Sequence, residues 1–331
     1  MLQFQGNSSR LRDLAMAVVL SVVCSQVGFL ILLFTVPLYT LYYRKGSKDL
    51  LISAGSVIFI LLVLSVWKTR SVIDADLRGA LVIIEMMIPV LLMLGMFFII
   101  DIIPGISGLR RLYRLFIATA AMVLVFIPVF MILQQNEVFT EAVGSQINAI
   151  AGVFFGEGAD TYESEVVKTY LGEEGMLGYM KSFYMRAAAA MFFLILLISA
   201  RTSEVILFRM QRRNALSLMD FRVPENLLWP TLLAAVGMLV EIFELADLGF
   251  ASPVIWNTGL ILLFVYGLQG LGIIRSLMGK FKLPNGLRLM VEIFLILMLL
   301  MPGINYVVII GLPVLGISET WINLRKSIRS T

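Results

Sequence analysis

The chain has 331 residues, of which 60% are hydrophobic and 15% are charged, and its formal net charge at pH 7 is +4. Soluble domains carry about 25% charged residues, so this composition excludes an ordinary soluble protein. The sequence has no histidine and a single cysteine, Cys24, which excludes histidine-based catalysis, a thiolate zinc site and an intrachain disulfide. The basic charge does not indicate nucleic acid, because Lys and Arg collect in the cytoplasmic loops of membrane proteins.

Apolar runs occupy most of the chain, and each is near or above the ~20 residues that cross a bilayer. They cover 13–43, 49–67, 79–103, 112–133, 183–208, 227–246, 253–274 and 287–318. We therefore predict an all-α, polytopic transmembrane bundle of about eight to ten membrane segments that contacts the lipid bilayer. We treat it as one integral membrane domain, with N-terminal segments over 1–133, an insertion over 134–182 and C-terminal segments over 183–331.

Basic clusters between the runs predict which loops face the cytoplasm. They lie at 44–48, 110–114, 209–213, 275–288 and 325–329, whereas 68–78, 134–182 and 244–252 are predicted to lie outside. The pattern predicts a multi-pass protein of the bacterial plasma (inner) membrane with cytoplasmic N- and C-termini.

Two cytoplasmic termini require an even number of crossings. The run 13–43 is then a hairpin that bends near Gln26 and Gly28, and 287–320 is a second hairpin that bends at Met301-Pro302-Gly303. Ten passes result. The alternative is one long tilted helix at each end, which gives eight passes and places both termini outside.

Glu85 is the strongest candidate for a functional residue. It lies well inside an apolar run, where a carboxylate costs ~2.5 kcal/mol or more unless it is neutralised or paired. Pro89, four residues later, has no backbone N–H and leaves the Glu85 carbonyl without its helical donor. A carboxylate and a free carbonyl at one level are suited to a cation or a substrate amine, and the alternative is a structural hydrogen bond to a neighbouring helix.

The 134–182 segment is acidic, and residues 136–155 have the spacing of an amphipathic helix, with Phe139, Val143, Ile147, Ile150 and Phe154 on one face. Two interpretations stay open. The segment is either a lid over an outward-facing cavity or a solvated connection whose charge follows its location.

Further polar groups fall in or near the C-terminal runs. Gln269 is a second candidate for substrate or ion binding, although close helix packing also explains it. Secondary candidates are Glu241, Glu244, Asp247 and Glu292. The first three are expected to mark the water interface, and Glu292 is expected to reach water or to pair with Arg288 at i−4.

Four groups of residues in the C-terminal part carry a family resemblance. They are Phe221-Arg222-Val223-Pro224 before Leu227-Leu228-Trp229, the segment from Tyr266 to Gly272, Leu283-Pro284 with Arg288, and the closing run from Val314 to Arg325. Over 201–331 the chain resembles the YybS-like family of predicted bacterial membrane proteins, a domain of unknown function. That family tends to carry a Gly-x-x-Asp-x-Trp pattern near its end, and here Glu319 stands two residues before Trp321.

The YybS-like family is distantly similar in architecture to the S components of energy-coupling-factor transporters. These capture vitamins and pass them to a separate ATP-driven module, which they dock through small residues on their first helix. The resemblance makes Ala17 and Ser21, a small-xxx-small pair, candidates for partner docking.

Function is predicted less sharply than fold. We expect small-molecule binding or a transport-related role, with Glu85 and Gln269 facing a cavity. The sequence lacks a phosphate-binding loop, so ATP-driven work would require another subunit. The contrasting hypothesis is a non-catalytic membrane scaffold or envelope assembly factor that recruits other envelope proteins. We expect no enzyme activity, metal or cofactor.

Overall fold

A computed structural model of the chain describes residues 2–71, 75–100, 110–135, 173–210, 218–322 and 324–325. All regular structure in these residues is helical, which confirms the predicted all-α class. The α-helices are α1 Leu2–Gln26, α2 Val36–Lys45, α3 Ser47–Lys68, α4 Ala75–Ile99, α5 Arg111–Gln134, α6 Glu173–Met210, α7 Leu228–Ile242, α8 Ala251–Lys280, α9 Asn285–Leu300 and α10 Asn305–Ile322.

Within the described residues, seven helical segments are long and apolar enough to cross a membrane. They are Ser47–Lys68, Arg78–Ile99, Arg111–Leu133, Met185–Leu207, Glu225–Ile242, Ala251–Lys280 and Asn305–Ile322. The chain is therefore an integral, multi-pass membrane protein. By their contacts, its residues divide into two compact units, Met1–Gln211 and Arg212–Thr331.

The first apolar run forms a helical hairpin in unit 1. Helix α1 ends at Gln26, and the chain returns through a 3-10 turn over Gly28–Leu33 and then α2. Asp13 on α1 pairs with Arg44 at 3.6 Å and with Lys45 at 3.3 Å, which holds the end of α2 beside the beginning of α1. The predicted bend is confirmed, and the first leg is longer than predicted because α1 begins at Leu2.

Helix α3 runs parallel to α1. Gly46 alone separates α2 from α3, with a φ of +92° that L side chains rarely adopt. Arg10 forms an ion pair with Asp49 near the beginning of both helices. Lys68 donates a 2.6 Å hydrogen bond to Gln26 where both helices end.

Several basic and acidic side chains of unit 1 lie at one end of the bundle, which we call the charged end. Arg10, Asp13, Arg44, Lys45 and Asp49 form one part of it. In the other part, Arg114 donates to the Ile99 carbonyl at the end of α4, and Arg111 and Arg201 pair with Glu204, linking α5 to α6. Tyr39 on α2 lies near Glu204 and Arg111, which places the two parts at the same end. The predicted grouping of 44–48 with 110–114 on one side is thus present in the fold.

The interior of unit 1 is packed by large apolar side chains. Phe34, Leu92, Met122 and Phe193 are essentially inaccessible to solvent. Gly95 on α4 allows close approach of α5 and α6, because a Cβ there would lie 2.5 Å from the Met122 sulfur. Burial of this kind stabilises the bundle even where lipid surrounds it, through close packing.

Unit 2 is organised around the crossing of α8 and α10. A Cβ on Gly270 would lie 2.1 Å from the Leu312 carbonyl oxygen, and a Cβ on Gly316 would lie 2.1 Å from the Tyr266 carbonyl oxygen. Only glycine permits two helix backbones to approach so closely.

The C-terminal run is also broken, as predicted. Helix α9 ends at Leu300 and α10 begins at Asn305, with Gly303 at a φ of +86° in the turn between them. The alternative of a single long tilted helix at each end of the chain is therefore wrong. Helix α9 buries none of its residues, as expected of a helix that meets lipid on most of its surface.

Candidate functional site

A cleft of about 150 Å³ opens in unit 1 where α1 and α3 end beside α4. This end is opposite the charged end, because Gln26 and Lys68 are the last residues of α1 and α3. The lining side chains are mostly polar: Ser25, Gln26, Leu61, Ser65, Lys68, Glu85, Met86 and Pro89.

Glu85 faces this cleft, and its side chain is exposed. Within the described residues, its carboxylate has no hydrogen bond and no ion pair. Pro89 lies inside α4 and also lines the cleft. The Glu85 carbonyl therefore lacks its usual i+4 donor, as the sequence predicted.

Lys68 brings a positive charge to the same cleft. Its ammonium donates to Gln26 Oε1, Gln26 Nε2 donates to Ser25 Oγ at 3.3 Å, and Ser25 Oγ donates to the Val22 carbonyl at 2.7 Å. This chain of hydrogen bonds connects the Lys68 ammonium to the backbone of α1 and so orients it. Lys68 and Glu85 do not pair with each other, so the cleft holds two opposite charges that are both accessible.

Ser65 is a buried polar group in the wall of the cleft. It is 2% exposed, and its Oγ has no hydrogen-bond partner among the described residues. A buried hydroxyl without a partner costs about 1–3 kcal/mol. A bound ligand or water would remove this cost. Sequence reasoning missed both Ser65 and Lys68, because each lies at a helix end where Ser and Lys are common.

Gln269, the second predicted site residue, has a different role. It is 4% exposed on α8, its Oε1 accepts from the Val223 amide at 2.6 Å, and its Nε2 donates to the Gly316 carbonyl at 2.9 Å. Both ends of the amide are occupied by backbone groups. The expectation that Gln269 faces a cavity is therefore corrected. The Gln269 side chain links α8 to the segment before α7 and to α10.

Arg325 lies beside Gln269 and was predicted only as part of a cytoplasmic basic cluster. It donates to the carbonyls of Met219, of Phe221 at 3.0 Å and of Gln269 at 3.1 Å. It also pairs with Glu319 at 3.0 Å, and both side chains are less than a tenth exposed. Burial lowers the pKa of the Arg325 guanidinium and the Glu319 carboxylate raises it, yet an arginine stays charged in proteins.

This arrangement joins residues from three segments that are far apart in the sequence. Phe221, Val223, Gln269, Gly316 and Arg325 form one hydrogen-bonded cluster inside unit 2, which we call the arginine cluster. Gln269 and Arg325 contribute side chains to it, whereas Phe221, Val223 and Gly316 contribute backbone groups that carry no sequence signal. The side chains of Gln269 and Arg325 form hydrogen bonds with backbone groups, so the cluster has a structural role.

The secondary candidates are exposed or already engaged. Glu241 accepts from Ser252 Oγ and Trp256 Nε1, each at 2.8 Å, and so ties the end of α7 to the beginning of α8. Glu244 is exposed with a φ of 53°, and Asp247 accepts from the Gly249 amide at 2.9 Å in the same turn. Glu292 pairs with Arg275 on α8 at 2.8 Å, rather than with Arg288, because a facing helix brings the guanidinium closer than its own turn does.

The predicted docking residues Ala17 and Ser21 are not on an accessible surface. Ala17 is 6% exposed and Ser21 is 0% exposed. Small side chains let helices approach closely, and α1 packs against α2 and α3 within unit 1. The docking prediction is therefore corrected.

Most of the predicted 134–182 insertion, including the amphipathic stretch 136–155, lies outside the described residues. Its last part is described, since residues from Glu173 onward belong to α6 and continue without a break into the membrane segment.

Comparisons with family models, with curated proteins and with solved structures found no match for this chain.

Proposed function

We propose that the protein binds a small polar solute in the Glu85 cleft as part of a transport process. The observation that carries this proposal is a membrane-embedded carboxylate that faces a polar cleft and has no partner among the described residues. Ionisable groups inside membrane segments are costly, and they commonly mark the path of a substrate or ion. The role is binding without catalysis.

The proposal extends to orientation and membrane. The charged end would face the cytoplasm of a bacterial plasma membrane, with both termini there, and the cleft would open to the outside. ATP-driven uptake of a solute captured from outside would require a second component, as in S components, because the sequence lacks a phosphate-binding loop. Membership in the YybS-like family is part of the same proposal, supported by the joining of the family-like residues in the arginine cluster.

Native mass spectrometry of the protein released gently from its own membrane tests the binding role. We expect a discrete small molecule on the wild-type chain and its loss from the Glu85→Gln variant at unchanged membrane expression. Glu244→Gln is the matched control, because Glu244 is an exposed carboxylate in unit 2, and this variant should retain the molecule.

The same measurement distinguishes solute binding from the competing hypothesis of a scaffold or assembly factor. A co-purifying ATP-driven module would support S-component-like capture. Envelope proteins without any bound solute, in wild type and variant alike, would overturn the binding role and favour a scaffold or assembly factor.

A further inference from the structure

We infer that the solute is a small zwitterion, whose ammonium group binds at Glu85 and whose anionic group binds at Lys68. This inference rests on the proposed binding function of the Glu85 cleft and names the chemical class of its ligand.

The part of the cleft around Glu85 on α4 is suited to an ammonium group. An ammonium has three N–H donors and no acceptor. The cleft residues supply the Glu85 carboxylate, which has no described partner, and Ser65, whose buried hydroxyl can donate or accept and also has no described partner. The Glu85 carboxylate, an acceptor without a donor among the described residues, matches a ligand group that brings only donors.

The opposite charge is supplied by Lys68. One of its three donors is used by Gln26, so two remain for an anionic group. Gln26 is hydrogen-bonded through Ser25 to the α1 backbone. This holds the Lys68 ammonium in position. The neighbouring Arg70 behaves differently, because it stacks on Trp67 at 5.3 Å as an interfacial anchor while Lys68 lines the cleft.

Both charges together select the ligand class. A ligand with only a cation would leave Lys68 without an anionic partner, and a ligand with only an anion would leave Glu85 without a cationic one. Unpaired charges oppose binding of the wrong solute. The volume of about 150 Å³ is enough for the charged groups of a small amino acid.

The test measures the thermal stability of the purified full-length chain with millimolar probes. The probes are glycine, alanine, β-alanine and γ-aminobutyrate, which differ in the spacing of their charges, together with ethylamine and propionate, which carry one charge each. We expect at least one amino acid to raise the melting temperature more than either singly charged probe. Affinity for that amino acid should fall at least about tenfold in Glu85→Gln and in Lys68→Met.

Two variants serve as matched controls for charge removal, Glu244→Gln and Lys280→Met, since both residues are exposed in unit 2. Each should keep the wild-type response. Lys68 is exposed, so the Lys68→Met variant keeps the inference testable if Glu85→Gln fails to fold.

The outcomes distinguish this inference from the proposed function. An equal response to ethylamine and to the amino acids, unchanged by Lys68→Met, would overturn the zwitterion and leave solute binding in place. If no probe changes the melting temperature, the molecule identified by native mass spectrometry tests the inference. A zwitterion that is lost in Glu85→Gln supports the inference. A singly charged or neutral molecule overturns it. No probe response and no co-purified molecule would overturn both.

Discussion

Arg325 brings a positive charge into the interior of unit 2, where it is 6% exposed. Three backbone carbonyls and the Glu319 carboxylate surround it. Removal of one partner of a buried ion pair costs about 3–5 kcal/mol, because the other charge stays buried without compensation. We therefore expect Arg325→Met to lower the free energy of unfolding by about that amount, measured by titration with a denaturing detergent in mixed micelles.

The matched comparison removes the remaining charge. The double variant Arg325→Met with Glu319→Met should recover part of the lost stability, since it no longer buries an uncompensated carboxylate. Glu319→Gln alone should cost less than Arg325→Met, because the guanidinium keeps its three carbonyl acceptors. A double variant less stable than Arg325→Met would show that the pair itself contributes little.

Helices α8 and α10 are the elements that decide the shape of unit 2. Their backbones meet at Gly270 and Gly316, where an added methyl group would lie 2.1 Å from a carbonyl oxygen of the other helix. Overpacking of this kind costs about 1–3 kcal/mol, and rigid backbone gives way less easily than a side chain. We expect Gly316→Ala to destabilise unit 2 by at least this amount, measured in the same detergent titration.

Gly311 on the same helix is the control, because no atom lies within 4 Å of the position that its Cβ would occupy. Gly311→Ala should leave stability unchanged or raise it by about 0.4–1 kcal/mol, through loss of unfolded-state entropy. Equal losses in Gly311→Ala and Gly316→Ala would indicate that the helix, and not the crossing, is sensitive to the change.

The molecule as a whole offers a direct test of orientation, since Cys24 is its only cysteine. In a Cys24→Ala background, we expect Arg70→Cys and Ala246→Cys to react with a membrane-impermeant maleimide in intact cells. Lys48→Cys and Lys282→Cys should react only after the membrane is made permeable. All four positions are exposed, so differences in labelling report the side of the membrane; the reverse pattern would place the cleft on the cytoplasmic side.

Much of the architecture follows from the sequence because a bilayer permits few structures. Apolar runs of sufficient length must be helices in lipid. The basic clusters at 44–48 and 110–114 are predicted to lie on the same side of the membrane, and therefore at the same end of the bundle. The bends near Gln26 and at Pro302 follow from the same charge pattern, since an even number of crossings needs them. The position of Glu85 and the proline four residues later also identified one wall of the cleft.

The other wall and the role of Gln269 were decided by tertiary structure alone. Whether a buried polar side chain faces a ligand or a neighbouring backbone depends on which helix lies opposite, and the spacing along one helix carries no such information. The same holds for Ala17 and Ser21, whose small side chains favour close packing without specifying the partner. Lys68 joins Glu85 only because α1 and α3 end side by side against α4, an arrangement produced by packing among helices that are far apart in sequence.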